Sequence, residues 1–181
     1  MNLIDVIKKG GVILYPSDTL WGLGGDATHP EVHQKINEIK KRPAGKPYII
    51  LVSDYAMLQQ YVDHVPPEAW EAIEKAVDPL TVVFPKAKNL PSIALAEDGS
   101  VAIRVVKRGF AHDLIKVAGV PLISTSANIS GHPVPLTFSE IDKTILEKVD
   151  YIVHLHREKK GIKASKIIRI LEDGTIETLR D

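Results

Sequence analysis

The 181-residue sequence contains no cysteine. Disulfide staples, thiolate zinc sites and a cysteine nucleophile are therefore excluded. Net charge is missing too, because 23 lysines and arginines balance 23 aspartates and glutamates. Bulk attraction to nucleic acid or a lipid surface needs an excess of charge, so any electrostatic function must come from local patches. No apolar run approaches the ~18 residues that a membrane-spanning helix requires. The opening "MNLIDVIKKGG" is too short and too charged to read as a secretory leader. A cytoplasmic address is the expectation. No repeat, low-complexity tract or linker divides the chain, and a single domain is expected over residues 1–181.

Hydrophobic residues make up 44% of the chain, enough to build a core, and their spacing sketches the elements. Asn2 is placed to cap a short helix that ends at Gly10-Gly11. Strands are predicted at 12–15, 48–52, 80–84, 101–106, 121–124 and 151–155. Helices are predicted at 30–41, 67–77 and near 110–118. "KIIRILEDGTIETL" reads as a hairpin turning at Asp173-Gly174. The irregular order and terminal hairpin favour a mixed-sheet α/β fold with an α+β tendency over a regular doubly wound sheet.

Three stretches carry candidate chemistry. "KKRPAGKP", Lys40 to Pro47, places four cations and two prolines before the apolar run Tyr48 to Val52. Lysines at a helix end complement its dipole, which is one reading. The prolines also stiffen the connection, so Arg42 and Lys46 would border a cleft and could engage a polyphosphate. "STSANISG", Ser124 to Gly131, offers four hydroxyls and one amide without the G-x-S-x-G of a nucleophile elbow. It is either ordinary loop chemistry or a neutral ligand cradle after a buried strand. "LYPSDTLWGLGGDA" lacks a Walker lysine, which excludes a P-loop ATPase. Its Gly22, Gly24 and Ala27 satisfy G-x-G-x-x-A, but too far beyond the preceding strand for a dinucleotide site. The pairs His29/His33 and His154/His156 lack the spacing or the further ligands of a metal centre. A basic run from Arg157 to Arg169 and an acidic one from Asp54 to Asp78 are the other local asymmetries.

Taken in order, "YPSDTLWGLGGDA", "IKKRPAGKP", "DPLTVVF", "GSVAIRV" and "PLISTSANISG" resemble the YrdC/TsaC family of threonylcarbamoyl-AMP synthases. The K-x-R of Lys40 and Arg42 and the S-x-N of Ser126 and Asn128 carry most of the likeness. The resemblance implies a twisted, single-domain YrdC-like fold with a cationic central cavity. It implies synthesis of threonylcarbamoyl-AMP and pyrophosphate from ATP, L-threonine and bicarbonate, for modification of tRNA. Lys40 and Arg42 would act in catalysis. Arg42, Lys46, Ser100, Ser126, Asn128, Ser165 and Arg180 would face ATP, while Thr19, Arg104 and Ser124 would contact threonine. Mg²⁺ would accompany the nucleotide without a dedicated metal cage. Proteins that transfer the threonylcarbamoyl group to tRNA are the implied partners, and no membrane is involved. Leu51, Lys46, Asp78, Val106-Lys107-Arg108 and Val134 depart from the usual pattern; Leu51 removes a histidine contact to threonine. Two rivals remain open: a YrdC-like RNA-binding protein without synthase activity, and a dinucleotide oxidoreductase.

Overall fold

A computed structural model describes residues 2–43, 45–158, 160–161, 164–171 and 173–181. Its strands are β1 (Ile13–Pro16), β2 (Trp21–Gly24), β3 (Ile49–Val52), β4 (Leu80–Phe84), β5 (Val101–Val105), β6 (Leu122–Ser126), β7 (Tyr151–Ile152), β8 (Lys166–Ile170) and β9 (Ile176–Arg180). They form one mixed sheet in the order β7-β1-β2-β6-β3-β5-β4-β8-β9. The helices are α1 (Leu3–Lys8), α2 (Pro30–Lys40), α3 (Tyr55–Tyr61), α4 (Pro67–Lys75), α5 (Phe110–Ala118) and α6 (Lys143–Lys148). The mixed-sheet expectation holds, since β3 runs parallel to β5 but antiparallel to β6.

Alternation along the strands explains where the core sits. Ile50, Ile103, Ile123 and Ile168 point to one face and pack with residues of α2, α3, α4 and α6. Fully burying each isoleucine contributes about 2 kcal/mol. A slip of one residue would exchange Ile123 for Ser124 in that core, so the register is strongly held. The opposite face is divided. At one end Leu51 and Leu122 lie under α1 and α5 with Val6, Ile7, Leu114 and Ile115. At the other end the strands carry Ser124, Ser126, Ala102 and Arg104, and among the described residues no helix covers them. That uncovered half becomes the cleft.

Four elements differ from expectation. Residues 21–24 form β2, paired to β1 on one side and β6 on the other. Gly22 and Gly24 therefore lie inside a strand rather than at the mouth of a helix, and the strand–turn–helix context of a dinucleotide fingerprint is absent. Helices α3 and α6 arise from stretches given no element. Asp54 Oδ1 caps α3 by accepting Met57 N–H at 2.9 Å, and Asp142 caps α6. β7 covers only residues 151–152 of the strand expected over 151–155.

Gly24 is required for close approach. A Cβ there would lie 2.2 Å from Ile123 O and 2.8 Å from Tyr15 Cε1. Gly24→Ala is therefore expected to cost about 2 kcal/mol of unfolding free energy, because neither β6 nor the buried Tyr15 ring can retreat freely. Urea denaturation measures this, and an unchanged midpoint would show that β6 yields.

Candidate functional site

The open half of the sheet encloses a cleft of about 380 Å³. Its lining includes Ser17 and Thr19 from the β1–β2 turn, Arg104 from β5, Ser124 and Ser126 from β6, Ser165 before β8, and Arg180 from β9. Arg42, Pro47 and Tyr48 close it from the connection between α2 and β3. Three arginines and no carboxylate appear among these lining residues.

Each guanidinium is held differently. Arg104 is 3% exposed, and its Nη2 donates to Asp18 Oδ1 at 2.8 Å. Arg42 Nη2 donates to Pro47 O at 3.3 Å, and its head lies over the Tyr48 ring. Arg180 donates to Ser165 O through Nε at 3.0 Å and Nη2 at 2.7 Å. The Ser165 hydroxyl lies 3.1 Å from that Nη2 and 2.9 Å from Thr81 Oγ1. Burial, then the charge of Arg104, lowers the Arg180 pKa. Buried Nε atoms of Arg42 and Arg104 have no hydrogen-bond partner among the described residues. A buried donor left unmatched costs about 1–3 kcal/mol, so two of them on one cleft mark places where a ligand's acceptors fit.

Lys40 occupies a different position from Arg42. It is 2% exposed and is not part of the lining. Its Nζ donates to Ser126 O, to Asn128 O at 2.7 Å and to Asn128 Oδ1 at 3.3 Å. All three ammonium donors thus point at the turn that ends β6. Asn128 also faces inward: its Oδ1 accepts from Ser126 Oγ at 2.6 Å, and its Nδ2 donates to His132 O at 2.8 Å. Lys40 and Asn128 build the wall behind Ser126.

Two other expected residues are not brought to this cleft. Lys46 is exposed and absent from the lining, because Pro47 and Arg42 take the inward side of the turn. Ser100 is buried beside Asp98 and Arg169 on a second cavity of about 690 Å³. Four residues of extended chain, about 13 Å, separate it from Arg104. Ser17, Asp18 and Tyr48 were not assigned roles from the sequence. Asp18 had a signal, an acid between two hydroxyl residues in a turn, but its pairing with Arg104 crosses 86 positions. Trp21 is buried and meets Phe138 edge-on at 5.1 Å.

Among the described residues, no group of three or more His, Cys, Asp or Glu is placed to hold a metal ion. His33 is fully buried with its Nε2 2.9 Å from Ala27 O. Among the described residues, no helix is long and apolar enough to cross a membrane. In the basic run, Arg157 stacks on Phe138, Lys166 pairs with Asp181 and Arg169 with Asp98. Lys159 and Lys163 lie outside the described residues.

The Sua5/yciO/yrdC family model, described as telomere recombination, matches residues 5–181. A Methanocaldococcus jannaschii protein is 36% identical over 185 residues, covering 99% of this chain and 86% of its own. The threonylcarbamoyl-AMP synthase of Pseudoalteromonas translucida is 32% identical over 157 residues, 83% of this chain and 82% of its own. The crystal structure of P. abyssi Sua5 complexed with L-threonine superposes with a TM-score of 0.85 at 27% identity. That alignment takes in 98% of this chain but 52% of the other, so this chain spans about half the length of that relative.

Burial, and secondarily the charge of Arg42, push the Lys40 pKa from 10.5 down to about 8. The unfolded chain therefore binds more protons than the folded one between those values, and this group's contribution to stability rises with pH across that window. Urea unfolding of wild type and Lys40→Met from pH 7 to 10.5 is expected to show wild type gaining relative to the variant above pH 8. A flat difference would place the Lys40 pKa near its ordinary value.

Proposed function

The chain belongs to the Sua5/yciO/yrdC family, and from that premise we propose that it is an L-threonylcarbamoyladenylate synthase. It would join L-threonine, bicarbonate and ATP into threonylcarbamoyl-AMP, releasing pyrophosphate, in the cytoplasmic pathway that modifies tRNA. The observation that carries this reading is a cleft lined by three guanidinium groups and no carboxylate, two of them with a buried, unmatched Nε.

The chemistry needs that arrangement. Threonine's amino nitrogen first bonds to the carbon of bicarbonate, with loss of water. A carboxylate oxygen of the resulting carbamate then attacks the α-phosphorus of ATP, and the bond from that phosphorus to the β-phosphate bridging oxygen breaks. Both reactants are anions. Two unit charges 4 Å apart repel by about 4 kcal/mol at an effective dielectric of 20. Fixed guanidinium groups reverse that repulsion and stabilise charge on the phosphoryl oxygens and departing pyrophosphate. No protein nucleophile is required, so the missing cysteine costs nothing.

Arg104, with Thr19 and Ser124 nearby, would receive threonine, its carboxylate meeting the guanidinium edge that Asp18 leaves free. Arg42, Ser126, Ser165 and Arg180 would face the nucleotide. Lys40 would act through the Ser126–Asn128 turn it anchors. The lining offers no carboxylate to a divalent cation, so Mg²⁺ would enter on the phosphates it already neutralises.

Pyrophosphate release from ATP is expected to require both threonine and bicarbonate, and omission of either should abolish it. Arg42→Ala is expected to lower the rate by roughly 10²-fold, the usual effect of removing one preorganised charge donor. A folded Arg42→Ala protein with near-wild-type release would remove Arg42 from the mechanism. Release independent of threonine would sink the synthase reading.

A further inference from the structure

Tyr48, at the entry to β3, is 4% exposed and belongs to the main apolar cluster. Packing alone does not account for its surroundings. The Arg42 guanidinium carbon lies 4.5 Å from the centre of its ring. Its hydroxyl donates to Asn37 Oδ1 at 2.6 Å. Asn37 also accepts the Arg42 backbone N–H at 2.9 Å through its own carbonyl. Lys41 between them is left-handed at φ 50°, and the chain there forms a Schellman-type helix end. One residue of α2 thus fixes both the backbone from which Arg42 springs and the ring on which its head rests.

The geometry points to Tyr48 as a positioning residue for the polyphosphate: its ring face holds the planar Arg42 head so that the N–H edge meets phosphate oxygens. Every guanidinium donor lies in the plane of the group, so contact through the flat face consumes none of them. Pro47 O takes one N–H, and the buried Nε–H has no partner among the described residues. A lysine could not be held this way, because its ammonium has no plane to align. Burial pushes the Tyr48 hydroxyl up to about 12, so the ring stays neutral in any working buffer. This role rests on the synthase reading for the identity of the phosphates, and its test has a part that does not.

Pyrophosphate release is measured at varied ATP with threonine and bicarbonate saturating. Tyr48→Leu is expected to raise KM for ATP about tenfold, in line with a desolvated cation–π contact, while KM for threonine stays unchanged. Tyr48→Phe and Tyr48→Trp keep a ring and should stay within about threefold of wild type. Arg42→Lys should reproduce the Tyr48→Leu loss, and combining the two should add little, since both remove one interaction. Additive losses, or a folded Tyr48→Leu with wild-type KM for ATP, would overturn the proposal. If Tyr48→Leu does not fold, the same cycle is run with Tyr48→Met, which removes the ring while keeping an apolar side chain of similar length.

Two readouts need no turnover. Calorimetric titration with inorganic pyrophosphate should give about tenfold weaker binding for Tyr48→Leu than for wild type. In ¹H–¹⁵N spectra the Arg42 Nε–H should carry a ring-current shift that Tyr48→Phe retains and Tyr48→Leu loses. An inactive wild type that still shows both effects would sink the synthase reading and leave the Tyr48 role standing. Loss of both effects in an active enzyme would do the reverse.

Discussion

Lys40 Nζ, carried on the last residue of a helix packed against one face of the sheet, reaches three oxygens in the turn that ends β6. Burying an ammonium costs several kcal/mol unless its donors are matched, so the turn cannot drift without exposing that cost. The contact spans 86 to 88 positions of sequence and locks two separate elements into one register. Arg42 follows two residues later on the helix side, and Ser126 stands on the strand side. Their separation across the cleft is therefore set by a charge that never enters it.

A division between two kinds of cation follows. The lysine is compact, fully matched by protein oxygens, and acts as a fastener. The arginines carry more donors than their surroundings consume: Asp18 takes one from Arg104, and Pro47 takes one from Arg42. What the protein leaves unmatched is available for ligand. Asp18 also keeps the 3%-exposed Arg104 from being an isolated buried charge while the cleft is empty of anions. The cleft can thus remain folded and electropositive together, a combination that like charges alone would oppose.

Much of the fold could be read from alternation and caps. Ile123 and Ile103, each flanked by residues that face the other way, mark their strands plainly. β2 could not be read this way, because "WGLG" offers two glycines and no period-two contrast. What makes it a strand is pairing on both edges and the close approach of Ile123 O to Gly24, facts that only the folded neighbours supply. α3 carries a legible sign, Asp54 before a helix-forming run, but its seven residues are too few for repeated apolar spacing. Within the candidate site, motif likeness pointed to residues that the fold does gather, Thr19, Arg42, Arg104, Ser124, Ser126, Ser165 and Arg180. The different placements of Lys40, Lys46 and Ser100 were not legible. Whether a cation beside a turn faces ligand, backbone or water depends on side-chain direction, which spacing does not encode. Tyr48 illustrates the same limit: it reads as one more apolar strand residue until the Arg42 head is seen on its face.

The walls of the cleft come from the whole span between Ser17 and Arg180. During translation at roughly 5–20 residues per second, on the order of ten seconds or more separates its first wall from its last. Between the synthesis of β4 and that of β8, β4 lacks its parallel neighbour, so the apolar "LTVVF" edge stands open on the nascent chain. Unpaired edges of that kind recruit strands from other molecules. The ribosome thus hands the cell a protein whose adhesive phase at β4 ends only when the segment Lys166–Ile170 arrives.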